Sequence, residues 1–160
     1  MAEIQGANKL GVQLESLVKM MLEEHDYQFI VKSKFTVTTG ALEQKLYTTQ
    51  LNVCDSIYSI GDFKHVVNAD FTLYNPASKE KYLIIECKLQ TSGGSVDEKY
   101  PYLNENIKLF PYKTIIVLDA PQAKKGAKAW LKQQVGVNPN LLQVFTSFSE
   151  FREWAIKNLG

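Results

Sequence analysis

Two stretches decide how this chain folds: Val66-Val67-Asn68-Ala69-Asp70-Phe71-Thr72-Leu73-Tyr74 and Tyr82-Leu83-Ile84-Ile85-Glu86-Cys87-Lys88-Leu89-Gln90. Both are rich in β-branched and aromatic residues, and Asn75-Pro76-Ala77-Ser78-Lys79-Glu80 between them supplies turn formers, so the pair predicts a β-hairpin. Side chains alternate along a strand. Ile84, Glu86 and Lys88 therefore share one face, against Leu83, Ile85 and Cys87 on the other. On the first strand, Asn68, Asp70 and Thr72 are expected opposite Ala69, Phe71 and Leu73. Pairing the two strands brings Asp70, Glu86 and Lys88 together at one point.

That trio suits phosphodiester hydrolysis. Two carboxylates can hold Mg²⁺, a hard cation that prefers oxygen ligands and keeps several waters. Such a cation polarises a phosphate and makes a nearby water more acidic. A lysine beside them can orient the attacking water or offset the charge that builds in the transition state. The plainer alternative is a cross-strand salt bridge on a solvated sheet face, since short acid-and-lysine matches arise often by chance. Context favours a site. Glu86 and Lys88 end an otherwise apolar run, and the glycine-rich Thr91-Ser92-Gly93-Gly94-Ser95 follows at once, where a strand opening into a loop commonly carries function.

On these residues the chain resembles the PD-(D/E)XK nuclease superfamily. Asp70 matches the first metal acid, Glu86 the second and Lys88 the lysine, while Ala69 stands where the family has proline. Gln90 extends the match to E-x-K-x-Q, and Glu15, in Gly11-Val12-Gln13-Leu14-Glu15, looks like the glutamate that many members carry on their first helix. The resemblance extends over about residues 11–120 and looks closest to a small restriction-endonuclease-type branch. It implies a mixed central sheet flanked by helices, an α/β restriction-endonuclease-like core. It also implies a catalytic set of Asp70, Glu86, Lys88, Glu15 and Gln90. Mg²⁺, with Mn²⁺ able to substitute, would be held by Asp70, Glu86 and the backbone carbonyl of Cys87. The implied activity is DNA endonuclease cleavage of restriction or related defence type. A junction resolvase, homing or repair nuclease of the same fold, or a non-catalytic nucleic-acid-binding module, stands as the alternative. The implied partners are double-stranded DNA and a second copy of the chain, with no organic cofactor.

Length and composition agree with one domain over residues 1–160, with an ordinary apolar fraction of 45%. No stretch approaches the ~20 apolar residues of a membrane span, and MAEIQGANK lacks the apolar core of a signal peptide. Cys54 and Cys87 do not make a disulfide framework. A reducing, cytoplasmic setting is the expectation. The net charge of +1 means that any DNA contact must come from a local patch.

Along the rest of the chain, Leu10, Leu14, Leu17, Val18, Met21 and Leu22 recur at helical spacing and predict a helix over residues 8–25. At ~100° per residue, Glu15 falls within about 20° of Leu22, at the rim of that apolar arc. It is either a third acid for the site or a solvated rim residue. Residues 27–37 alternate like a strand, and residues 50–56 suggest another, in a region (38–65) otherwise read as loops. Residues 95–108 read as a helix with Ser95 as N-cap and Glu98 at capping-box spacing, although Pro101 is awkward inside it, so that the helix either begins at Pro101 or is kinked there. Thr114 to Leu118 predicts a buried strand, residues 122–135 a helix, and residues 141–146 a strand. Ser147-Phe148-Ser149-Glu150 opens a terminal helix with Phe151, Trp154 and Ala155 inward.

The loop and helix after the motif carry further candidates. Ser92, Ser95, Lys99, Tyr100 and Asn104, with Tyr102 and Asn106, are types that bond phosphates or stack on bases, although each also fits an ordinary polar helix face. Lys124, Lys125, Lys128 and Lys132 recur at helical spacing, as a basic stripe or a solvated face. His25 and His65 are too few and too far apart for a zinc site.

Overall fold

The computed structural model describes residues 7–39, 43–90 and 97–159. Its centre is a six-stranded mixed sheet in the order β1-β2-β3-β4-β5-β6. The strands are β1 (Gln28–Phe29), β2 (Leu46–Asp55), β3 (Val66–Tyr74), β4 (Tyr82–Leu89), β5 (Lys113–Asp119) and β6 (Leu141–Phe145). β1 lies parallel to β2, β2–β3 and β3–β4 are antiparallel, and β4, β5 and β6 run parallel. The helices are α1 (Ala7–Glu24), α2 (Lys32–Thr39), α3 (Tyr100–Ile107), α4 (Lys125–Gln133) and α5 (Phe148–Asn158). This is the α/β architecture expected from the sequence.

The alternation of β4 sorts its side chains between two cores. Leu83 and Ile85 join Leu14, Val18, Met21 and Leu22 of α1 and Phe151 and Ala155 of α5 on one face. Ile84 joins Tyr100, Leu103 and Ile107 of α3 and Leu131 of α4 on the other. Ile84, Ile85, Ile115, Ile116 and Val117 are fully buried, each contributing roughly 1.5–3 kcal/mol by leaving water. Charged residues at positions 86 and 88 therefore emerge from the best-packed strands of the sheet.

α1 ends where Asp26 turns left-handed, at φ 69°. The Tyr27 N–H then donates to the Leu22 carbonyl at 3.0 Å, and Leu22 and Tyr27 are both buried, a Schellman stop with its apolar clasp. Leu17, expected within the apolar stripe, is 41% exposed, and the side chain of Leu10 lies outside the described residues. α5 starts as its sequence predicts: the Ser147 side chain accepts from the Glu150 N–H at 3.2 Å. The Glu150 carboxylate reaches back to the N–H of Thr146 rather than to that of Ser147.

Three expectations need correction. Residues 27–37 form a two-residue strand and then α2, because Phe35 is drawn into a pocket with Leu46, Tyr74 and Tyr82; packing overrides the strand preference of Phe, Thr and Val. β2 begins at Leu46, well before residue 50, since Leu46 and Tyr47 are core residues. α3 starts at Tyr100 with Pro101 in its first turn, where proline loses no helical bond. Its N-cap is Lys99, and the expected cap Ser95 lies outside the described residues. Cys54 and Cys87 are both free thiols.

Candidate active site

β3 and β4 pair from Tyr74/Tyr82 to Phe71/Ile85, and the ladder ends there. The next two residues would be Asp70 and Glu86. In place of ladder bonds, the Asp70 N–H donates to Glu86 Oε2 at 2.7 Å, and the Cys87 N–H donates to Asp70 Oδ2 at 2.8 Å. Each acid satisfies a backbone donor on the other's strand, Glu86 that of Asp70 itself and Asp70 that of Cys87, the residue after Glu86. The parting of the strands and the placement of the two carboxyl groups are one event, and the two backbone hydrogen bonds hold both side chains in place.

The alternation expected along β3 fails at this point. Phe71 and Leu73 pack beneath α1 and α5, whereas Ala69, two residues earlier, packs beneath α3 and α4. β3 changes its facing at Asp70. On β2, between the pairs Thr49↔Phe71 and Leu51↔Ala69, stands Gln50, whose backbone is left-handed at φ 56°. Its amide Nε2 lies 3.5 Å from Asp70 Oδ1. Non-glycine residues rarely hold this conformation, and those that do concentrate at functional sites.

The kink sets Asp70 between two clefts. One, of about 260 Å³, is lined by Asp70, Glu86, Lys88, His65, Lys99 and Tyr102. The other, of about 230 Å³, lies toward α1 and is lined by Glu15, Lys19, Gln50 and Asp70. Glu15 is half-buried. Burial, then the Asp70 charge, then hydrogen bonding between the two carboxyls raise its pKa above the ordinary carboxylate range. α1 thus delivers a third acid to Asp70. Glu86, 4% exposed, has its pKa pushed up to about 8, mainly by burial and next by the Asp70 charge, with Lys88 pulling the other way. Burial and the same acids push the Cys87 thiol up as well, so its sulfur stays protonated at neutral pH.

The remaining candidates separate clearly. Lys99 and Tyr102 line the larger cleft. Tyr100 and Asn104, expected to touch nucleic acid, are each 1% exposed. Tyr100 belongs to the core under α3, and Asn104 bonds Gln134 and Asn138, so neither reaches a ligand on this surface. Asn106 is buried too and accepts from the Ile57 N–H. Gln90 is buried beyond the motif, its N–H donating to the Asp119 carbonyl. Ser92 and Ser95 lie outside the described residues. Lys128 donates to the Ala120 carbonyl and Lys132 pairs with Glu150, which breaks up the basic stripe of α4. Two residues at the site escape the sequence analysis. His65 lies just before the strand that carries Asp70 and lines the cleft, a place that its pairing with His25 as a zinc candidate does not bring out. Gln50 offers no compositional signal at all.

A family model described as a PD-(D/E)XK nuclease superfamily domain matches residues 6–159, nearly the whole chain. The chain belongs to this superfamily. No curated protein and no solved structure matches it. Membership makes this a nuclease domain, and PD-(D/E)XK nucleases generally use divalent metal ions. Among the described residues, no three His, Cys, Asp or Glu side chains are grouped so as to hold a metal by themselves. The donors present still fit a hard cation. Mg²⁺ is commonly held by one or two carboxylates while keeping its waters, and here Asp70 and Glu86 supply two, with Lys88 lining the same cleft. Among the described residues, no helix is long and apolar enough to cross a membrane.

Proposed function

We propose that this PD-(D/E)XK chain is a single-domain, Mg²⁺-dependent DNA endonuclease of restriction or related defence type. The observation that carries the proposal is the cross-capped pair Asp70 and Glu86, fixed where β3 and β4 part, with Lys88 in the same cleft. Asp70, Glu86 and the Cys87 carbonyl hold the cation, which when bound polarises the phosphate. Lys88 orients a water for attack on phosphorus and offsets charge on the phosphoryl oxygens as one P–O bond breaks. Lys99 and His65 flank the cleft as phosphate contacts, and Glu15 supports Asp70 from α1.

A second reading, a structure-selective junction or repair nuclease, is favoured by the aromatic rings at the cleft mouth. The intact acid pair and lysine weigh against a non-catalytic module. The test is incubation with plasmid, linear and branched DNA in Mg²⁺ or EDTA, with mapping of the cut ends. Asp70→Asn and Glu86→Gln should abolish cleavage in a folded protein. Lys88→Ala should slow hydrolysis about 10²- to 10³-fold while leaving metal binding in place. Glu15→Gln should cost less than Asp70→Asn, and its defect should shrink as Mg²⁺ rises. Wild-type turnover by Asp70→Asn or Glu86→Gln at saturating Mg²⁺ overturns the metal assignment.

A further inference from the structure

We infer that Tyr58 and Tyr102 form a stacking platform for an unpaired base at the mouth of the catalytic cleft, so that the substrate strand is locally unstacked where it is cut. The inference rests on the nuclease reading above. Tyr102 lines the same cleft as Asp70, Glu86 and Lys88. The Tyr58 ring lies on it at a centroid distance of 5.1 Å and an interplanar angle of 18°. Tyr58 nevertheless remains 70% exposed, so a large area of ring stays open beside the cleft.

The loop that carries Tyr58 is braced rather than loose. The Ser56 N–H donates to the His65 carbonyl at 2.7 Å, and the His65 N–H donates to Ser59 Oγ at 2.8 Å. The Ile57 N–H donates to the Asn106 side chain at 2.9 Å, tying the loop to α3. His65 Nδ1 lies within hydrogen-bond distance of both the Tyr102 hydroxyl and Ser56 Oγ. Beyond them a two-residue turn at Gly61 and Asp62 closes a bridge between Ile60 and Phe63, which are 73% and 79% exposed. Large apolar side chains clustered on one short, rigid loop mark a contact surface.

The occupant follows from position. A ring beside a phosphodiester-cutting cleft meets a nucleobase, and every base has a π-face that an aromatic ring can cover without regard to sequence. A base inside an intact duplex has both faces covered by its neighbours. Only a flipped base or one in a single-stranded segment can use Tyr58. Its phosphate would then lie toward Lys99 and His65.

The test uses the full chain in EDTA and oligonucleotides carrying 2-aminopurine at one position. The base is set either within a duplex or at the first unpaired position of a single-strand/duplex junction. Wild type should quench the unpaired probe, and quenching within the duplex would identify flipping as the source. Tyr58→Ala should weaken binding of the junction about tenfold, whereas Tyr58→Phe should keep it, since stacking needs the ring and not the hydroxyl. Equal junction binding by wild type and Tyr58→Ala overturns the platform, as does Tyr58→Phe failing alongside Tyr58→Ala. A switch from dimer to monomer in Tyr58→Ala would assign the loop to a contact between copies and overturn it too. If plasmid is cut in Mg²⁺ while these binding results fail, the platform falls and the nuclease reading stands; if nothing is cut, both fall.

Discussion

Glu86 is a carboxyl shut into the sheet with a second acid at its side. The unfolded chain ionises it near 4.5, whereas the folded protein holds the proton until about 8, because burial and the Asp70 charge both disfavour the anion. Between those values the native state binds more protons than the unfolded one, so stability falls as pH rises. We therefore expect the melting temperature in EDTA to fall from pH 5 to pH 8 in wild type, and to fall less in Glu86→Gln. Mg²⁺ favours the ionised carboxylate, so its stabilising effect should be larger at pH 8 than at pH 5. Thermal melts of both proteins across this range, with and without Mg²⁺, measure the two slopes. Equal slopes in EDTA would remove Glu86 as their source. The burial behind this behaviour was legible only in part. Glu86 at the end of an apolar run announces an unusual acid, but nothing in the sequence says that the strands part there and that each acid caps the other strand.

At the scale of elements, the kink shared by β2 and β3 turns Asp70 out of the regular alternation. Gln50 holds the left-handed backbone at φ 56°, which suits glycine and costs a β-branched residue most. Gln50→Gly should leave stability within about 1 kcal/mol of wild type, relief of strain offsetting lost chain rigidity. Gln50→Val, a better strand former by propensity, should instead lose roughly 1–3 kcal/mol. Urea denaturation of the two variants measures the difference, and a Val variant as stable as wild type would show that the conformation constrains nothing. This kink also shows where sequence reading runs out. β3, β4, β5 and α5 are legible because their signals are local: apolar runs, a turn sequence, and Ser147 three residues before Glu150. α2 is not, because Lys32–Thr39 carries strand-favouring residues and owes its place to Phe35 meeting Leu46 and Tyr74. β2 starts early for a similar reason, its first residues being set by distant core contacts.

At the scale of the whole molecule, a net charge of +1 gives little general attraction to DNA, so under the proposed function affinity would have to rest on local groups such as Lys88, Lys99 and His65, which line the cleft. The described residues supply one such acid pair per chain, and a double-strand break would need two hydrolyses on opposite strands. A two-fold dimer meets this need and matches the symmetry of a palindromic site. Among the described residues of the 38–65 region, β2 fills the sheet between β1 and β3 and the loop at residues 56–65 is assigned to the nucleic acid, so this region offers little as a contact between copies. Sheet-to-sheet pairing offers little, because the edge strands β1 and β6 have only 2 and 5 residues. If the dimer makes the break, linear plasmid should form with a rate that climbs faster than in proportion to protein concentration. Nicked circles should accumulate at low concentration, where single chains dominate. Light scattering on the free and DNA-bound protein, run beside the plasmid assay, joins assembly to cutting. A particle of one chain in both states, yielding linear product without a nicked intermediate, would place both hydrolyses in a monomer and end the dimer proposal.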